Sequence, residues 1–365
     1  MRHGPEVARR SGPSGRSGRL GGAPWRLAVL AALAALIVGV GVPVGIGLAD
    51  HHGRSAHLAS GSKPTSGKEP EHAIDTARIV GPLVPKSGAY LGAYVQPTNY
   101  SAQGQVSAVK SFQRSIGHAL DLVHVYHPWT EPFPSAADIS FVHNDKVLLL
   151  TWGGTPDTRQ IIAGDYDQLI TERAEAVKQL HRPILMEFRH EMDRPNLQWA
   201  VHGPADYIKA WDHIRAIFTK VGATNVGWVW CPTGYGFQIG RAQAFYPGNS
   251  EVDWVCADVY TVAPHQSLQQ AATPFLQWAA HTGKPIIIGE FADNGPSTEW
   301  ASWLAAAGRF VRKHPQIKAI AYFDATGKDS NGNPFSYWLS SNVSALKAFG
   351  RLAGARYFRP AVPRS

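Results

Sequence analysis

Eight short apolar runs, each followed by a longer amphipathic or loop-rich stretch, constrain this chain more than any other feature. The runs are Tyr90–Gln96, Leu120–Tyr126, Lys146–Trp152, Pro183–Glu191, Asn225–Cys231, Val252–Tyr260, Pro285–Phe291 and Ile317–Asp324. Val147-Leu148-Leu149-Leu150 and Ile286-Ile287-Ile288 are continuous hydrophobic stretches, which implies strands buried on both faces, as parallel strands under helices are. Between them, Tyr166–Leu180 carries Leu169, Ile170, Ala174, Val177 and Leu180 at helical steps. Ala205–Val221, Trp300–Val311 and Val343–Leu352 repeat that pattern. Eight such units over residues 87–356 predict an α/β fold of the (β/α)8 TIM-barrel kind. A doubly wound open sheet is the competing arrangement, but no glycine-rich phosphate loop follows the first run.

In such a barrel the chemistry collects where strands end, at the C-terminal face. Those ends are rich in polar and aromatic residues: Tyr94, Gln96, Tyr126, His127, Trp129, Thr151, Trp152, Trp230, Asp258, Tyr260 and Tyr322 among them. The fourth and seventh runs end at or next to a glutamate, Glu191 and Glu290. A carboxylate idle at the tip of an apolar strand is costly, because burial without a role or partner disfavours the charge. Two carboxyl groups facing each other across a pocket can hydrolyse a glycosidic bond. One protonates the leaving oxygen and the other attacks, with retention when they stand about 5–5.5 Å apart. The expected roles are Glu191 as acid/base and Glu290 as nucleophile, with Tyr260 on the next strand placed to donate its hydroxyl to Glu290. Side chains alternate along a strand, so parity puts Arg189 on the inward face with Glu191 and leaves His190 at the rim.

The chain has 12 Trp. Aromatic faces stack on sugar rings, and Trp152, Trp230, Trp199, Trp129 and Tyr322 fall at or just past strand ends. Trp152 and Trp230 are the expected sugar platforms, whereas Trp228 and Trp254 lie earlier on their strands and read as core. His127 belongs to the same rim. No His spacing or companion carboxylate pattern supports a metal, and no metal or cofactor is expected. Cys231 and Cys256 are the only cysteines, which excludes a disulfide-dense scaffold and a four-cysteine zinc site. They fall on neighbouring runs and can pair in an exported protein; two small buried thiols are the expectation.

The net charge of +8 is mostly local to the start of the chain, where Arg2, Arg9, Arg10, Arg16, Arg19 and Arg26 face one acid, Glu6. No basic stripe interleaved with aromatics occurs elsewhere, so no nucleic-acid partner is expected. After this basic tail, residues 1–26, the run Leu27–Leu48 is uncharged and long enough to span a bilayer. Segment 27–49 is therefore a signal anchor with the N-terminus inside, or a signal peptide cleaved after Ala49. Either outcome puts the rest of the chain outside the cell, at the membrane or secreted. Residues 50–86, rich in His, Ser, Gly, Lys and Pro, read as a flexible linker. A monomer is expected.

Several segments together resemble glycoside hydrolase family 26. They are Ile162–Asp167, His190-Glu191-Met192, Asn225–Pro232, Tyr246-Pro247-Gly248, Asp258-Val259-Tyr260 and Gly289-Glu290, in this order over roughly residues 90–350. The resemblance implies a retaining (β/α)8 glycosidase with the roles given above, Tyr260 bonded to the nucleophile, and His190 and Trp152 lining the sugar site. Members of that family cleave β-1,4-mannan, β-1,3-xylan or mixed-linkage β-glucan. The chain departs from the mannanase pattern after Met192, where Asp193-Arg194 stands for Asn-Gly and Asn196 for a Trp, and Glu187 stands where an arginine is common. Three other readings stay open: a transglycosylase or trimming enzyme for exported polysaccharide, a non-catalytic carbohydrate-binding barrel, and a metal-dependent hydrolase.

Overall fold

A computed structural model of the chain describes residues 81–362, apart from 262, 264, 330 and 331. The basic tail, the apolar run in 27–49 and linker residues 50–80 lie outside the described residues. Among the described residues no helix is long and apolar enough to cross a membrane.

Eight parallel strands close into a barrel: β1 (Tyr90–Val95), β2 (Leu122–His127), β3 (Val147–Trp152), β4 (Ile184–Phe188), β5 (Val226–Trp230), β6 (Trp254–Tyr260), β7 (Ile286–Ala292) and β8 (Ile317–Asp324). Closure is by β1 on β8, in register from Tyr90↔Ala319 to Val95↔Asp324. Each strand is followed by a helix: α1 (Ala102–Ile116), α2 (Ala136–His143), α3 (Asp167–Lys178), α4 (Pro204–Val221), the short α5 (Gly234–Gln238), α6 (Leu268–Ala279), α7 (Trp300–Lys313) and α8 (Val343–Gly354). The expected (β/α)8 order is therefore the observed one. Strand ends shift by a residue or two, except that β4 stops at Phe188, three residues before Glu191.

Two apolar layers hold the barrel. The inner one includes Tyr90, Leu122, Leu149, Leu185, Val229, Trp254, Ile287 and Ala319. The outer one lies between strands and helices and includes Leu148, Leu150, Trp152, Met186, Phe188, Trp211 and Trp230. The alternation of strand side chains assigns each residue to one layer, so the next residue along a strand changes sides. Helix starts are set by local caps. Ser135 and Asp138 form a reciprocal capping box at α2, and Ser267 and Gln270 form one at α6.

The packed domain begins earlier than residue 87. Leu83 is buried beneath the barrel, its carbonyl accepts from the Tyr90 hydroxyl at 2.9 Å, and the Trp254 indole donates to Pro82 O at 2.8 Å. Residues 81–86 are thus a plug for the N-terminal end of the barrel and not linker. It also ends later, since Phe358 is buried. The cysteines depart from expectation too. Cys231 and Cys256 are joined as a disulfide inside the barrel. The β5–β6 neighbour relation brings both side chains to the same inward layer.

Candidate active site

The upper half of the barrel interior is polar. Tyr126 and His124 from β2, Thr151 from β3, Glu187 from β4, Asp258 and Tyr260 from β6 and Glu290 from β7 share one buried cluster. Its hydrogen bonds fix where the protons sit. His124 Nδ1 faces the Gly289 carbonyl at 3.1 Å, and a carbonyl can only accept. Burial pushes the His124 pKa down to about 3, so the ring is neutral and its one proton is on Nδ1. Nε2 must then accept from the Thr151 hydroxyl, 2.7 Å away. Thr151 is also bonded to the Glu187 carboxyl, at 2.6 Å; with the Thr151 hydrogen engaged on Nε2, the hydrogen of this second bond has to come from a protonated Glu187. Glu187 therefore carries a proton, in line with burial, which raises its pKa to about 8. The chain of bonds runs Glu187, Thr151, His124, Gly289.

That chain clamps the segment that aims Glu290. Simple alternation from Ile287, which points inward, would turn residue 290 outward. The ladder instead slips. Ala257 pairs Ile288 while Asp258 pairs Glu290, so β7 holds one extra residue, Gly289, against β6. A bulge of this kind re-aims the next side chain. Only glycine fits there, because a Cβ would sit 2.6 Å from Cys256 Sγ and 2.8 Å from Asp258 Oδ1. Glu290 consequently enters the pocket, where one carboxyl oxygen accepts from Tyr260 at 2.6 Å and the other from Tyr126. Burial, and next the charge of Glu191, push its pKa up, and the two hydroxyls pull against them. Glu290 is the one carboxyl of the cluster with two hydroxyl donors, so it is the best placed to hold negative charge.

Glu191 comes from a different local solution. Past β4 the backbone turns through left-handed conformations at Arg189 (φ 50°) and Glu191 (φ 54°). Such angles are sparsely populated for residues with a side chain and occur where the surroundings impose them. The Glu191 amide donates to Cys231 O at 2.7 Å, which ties the turn to the end of β5. Its carboxyl accepts from Arg194 Nη1 at 2.7 Å, and both side chains are largely buried. Burial raises the Glu191 pKa, and Arg194 lowers it through charge and hydrogen bond, leaving it above the ordinary value. Asp193 is fully buried and grips Thr233 through its amide at 2.9 Å and its hydroxyl at 2.6 Å, joining the β4 and β5 loops. Asn196 is exposed.

Of the expected site residues, Glu191, Glu290, Tyr260 and His190 meet in this pocket. His190 packs edge-on to Tyr126 and beside Gly153, its buried Nδ1 has no partner, and burial lowers its pKa to about 3. The others, Trp199 apart, need correction. The parity argument for Arg189 fails because its left-handed φ breaks the alternation. Its guanidinium leaves the pocket and donates to Pro156 O at 2.8 Å. Trp152 follows inward Thr151 and so faces outward, fully buried and stacked on Trp129 at 4.0 Å. Trp230 is buried against Phe237, Tyr246 and Trp278. Neither indole offers a face to a sugar. Tyr322 also faces the outer layer and donates to Tyr337 O. His127 binds Asp138 of α2 at 2.8 Å. Trp199 is 64% exposed on the short helix Gln198–Val201, with its ring free for a ligand.

Sequence reasoning missed Tyr126, Asp258, Glu187, His124 and Arg194 as site residues. The period-two rule does find Tyr126 and Asp258, as partners of His124 and Tyr260 two residues away on the same faces. Glu187, Cys231 and Cys256 lie within reach of one another as a potential ligand set, but the bonded sulfurs provide no thiolate.

Comparison with known proteins adds the following. The family model described as Glycosyl hydrolase family 26 matches residues 98–296. Endoglucanase H of Acetivibrio thermocellus is 30% identical over 299 residues, which is 75% of this chain and 31% of that protein. A Beta-1,3-xylanase of Alcaligenes sp is 24% identical over 246 residues, 58% of this chain and 50% of that protein. The chain thus spans a third to a half of the length of these curated relatives. Among solved structures, a family 26 beta-mannanase from Bacteroides ovatus superposes with a TM-score of 0.56 at 14% identity, over 75% of this chain and 90% of that one. At that identity the likeness shows the fold.

The buried proton on Glu187 is measurable. Its folded pKa of about 8 lies above the ordinary carboxylate value of 4.5, so between those pH values the folded chain holds a proton that the unfolded chain has released. Stability therefore falls as pH rises through that window. Urea unfolding at pH 5 and pH 8 is expected to show that loss, on the order of 3 kcal/mol. Glu187→Gln, whose amide still donates to Thr151, is expected to reduce it, the remainder coming from the other raised carboxyls, Glu290 among them. An unchanged slope in the variant contradicts the assignment.

Proposed function

Because the chain belongs to glycosyl hydrolase family 26, we propose that it is a retaining glycoside hydrolase acting on a β-linked polysaccharide of mannan or β-glucan type, with Glu290 as nucleophile and Glu191 as acid/base. The observation that carries this reading is Glu290 itself, turned into the pocket by a bulge and held there by the hydroxyls of Tyr126 and Tyr260. Those two bonds orient the carboxylate and favour its ionised form. In the first step a Glu290 oxygen bonds to the anomeric carbon as the glycosidic bond breaks, and the leaving oxygen takes the proton from Glu191. Glu290 is then a neutral ester. The charge of Glu290, which opposes that of Glu191, is gone, so Glu191 stays ionised more easily and accepts a proton from the water that cleaves the ester. Water supplies the oxygen of the new hemiacetal, and both carboxyls return to their starting states. His190, with its unpartnered Nδ1 at the pocket wall, is available to a substrate hydroxyl.

Arg194 stands where the mannanase pattern has glycine and holds the acid/base in an ion pair. Of the departures at Asp193, Arg194 and Asn196, Arg194 contacts Glu191 directly, so this segment bears on which β-glycan is accepted. The apolar run at 27–49 supports a location outside the cell, anchored or secreted. An anchored enzyme suits work on exported polysaccharide, where the acceptor is a second sugar chain and the same two glutamates serve transglycosylation.

Two outcomes are expected. Incubation with mannan, galactomannan, glucomannan, mixed-linkage glucan, β-1,3-xylan and cellulose should release reducing ends from one β-glycan, and Glu290→Ala should cut the rate by about 10^4-fold or more. Full activity in that variant would favour a site elsewhere. Removing a cation from a carboxyl raises its pKa. Arg194→Gln should therefore move the basic limb of the kcat/KM pH profile upward, and a limb that stays in place would show that Arg194 does not set the protonation of Glu191.

A further inference from the structure

A second cleft lies on the other side of the β1–β8 wall. Side chains alternate there: Phe323 faces the catalytic pocket, in ring contact with Tyr94, Tyr126 and Tyr260. Asp324, one residue on, faces a groove of about 360 Å³ between α1 and the loop that follows β8. That volume lies within the range of small-molecule sites, roughly 300–1,000 Å³. One bank of the groove is a face of α1, with Gln103, Ser107 and Ser111, and the other bank is Trp338 and Ser340.

Three observations bear on what the groove takes. Its lining is polar but uncharged, since Asp324 is the one ionisable side chain among the lining residues. A nucleotide or acidic polymer finds no cation there. Trp338 is 41% exposed and stacks on no other ring, an unusual state for a Trp in this chain, most of whose described indoles are packed away. The Asp324 carboxyl is almost fully buried. One oxygen accepts from the Leu339 amide at 2.7 Å, and the other has no partner. A buried carboxyl oxygen left unpaired costs free energy unless something completes it. A flat aromatic face, neutral amides and hydroxyls, and one unpaired carboxyl oxygen form the set that matches a sugar, with its apolar C–H face and its ring of hydroxyls.

We infer that this groove is a second binding site for a neutral β-linked glycan chain, separate from the catalytic pocket and built from Trp338, Asp324 and the polar face of α1. The inference rests on the β-glycanase reading for its choice of ligand. A site of this kind holds a long polymer on the enzyme while the catalytic pocket acts on another stretch of it, so it contributes to long substrates and not to short ones.

The test uses the full chain. Glu290→Ala and Glu290→Ala/Trp338→Ala proteins are run through native gels containing galactomannan or mixed-linkage β-glucan, and wild type and Trp338→Ala are assayed on a short oligosaccharide of the same linkage. Loss of one stacking platform should weaken retardation by about fivefold or more, with oligosaccharide hydrolysis unchanged. Ser111→Arg, an exposed helix substitution that puts bulk and charge into the groove, should do the same and guards against misfolding of the Trp variant. Equal retardation of parent and variants overturns the inference, as does a parent that neither gel retards. Oligosaccharide hydrolysis that falls in step with retardation would make the groove part of the catalytic cleft and overturn it as well. A wild-type protein that cleaves no glycan but loses retardation with Trp338→Ala sinks the glycanase reading alone and leaves the groove standing.

Discussion

The bond from His124 Nδ1 to the Gly289 carbonyl holds the rest of the site in place. Gly289 is the extra residue of the β7 bulge, and the bulge is what turns Glu290 from the outer layer into the pocket. The bond works only if His124 is neutral with its proton on Nδ1. That in turn needs Thr151 to donate to Nε2 and Glu187 to keep a proton for Thr151. A carboxyl three strands away, buried so deeply that it stays neutral, thus sets the direction of every hydrogen bond up to the bulge. Barrel closure makes this possible, because β2, β3, β4 and β7 all send side chains to one enclosed layer where water cannot compete.

The same enclosure sets the electrostatics. Glu187, Glu191, Asp258 and Glu290 are all buried and close enough to raise one another's pKa values. They cannot all be ionised in so little solvent. Their surroundings differ, and the differences divide the labour. Glu187 and Asp258 lack a cation or a pair of donors that favours the charge. Glu290 has two tyrosine hydroxyls, and Glu191 has Arg194. Burial still leaves Glu191 with a raised pKa despite Arg194, and pairing an attacking carboxylate with a protonated acid requires the proton to sit on Glu191 rather than on Glu290.

Much of this was legible in the sequence, and the gaps have physical causes. All eight strands could be read because runs such as Val147–Leu150 are buried on both faces and need no alternation. The two glutamates stood out because each closes such a run. Facing was harder. Trp152 and Trp230 end their strands and look like rim residues, yet each lies one step past an inward position and so points into the helix layer. Arg189 was misplaced because Phe188-Arg189-His190-Glu191 reads as extended chain. The left-handed turns at Arg189 and Glu191 are imposed by tertiary contacts, such as the Glu191 amide on Cys231 O, and no glycine marks them. The bulge had a signal in the glycine inside β7, whose meaning depends on the close approach of Cys256 and Asp258. The disulfide needed the β5–β6 neighbour relation in three dimensions. Arg194 was visible only as a departure from a pattern, and its ion pair with Glu191 required coordinates.

The central claim is that Glu290 forms a covalent bond to the sugar, and trapping tests it most directly. The protein would be incubated with activated 2-deoxy-2-fluoro-β-glycosides of the gluco and manno series and its intact mass followed, with proteolysis to locate any label. The account predicts a mass increase of one fluoroglycosyl group, placed on Glu290 by peptide mapping and absent from Glu290→Ala. A label on a different residue, or glycan hydrolysis whose first product has inverted anomeric configuration, would contradict it.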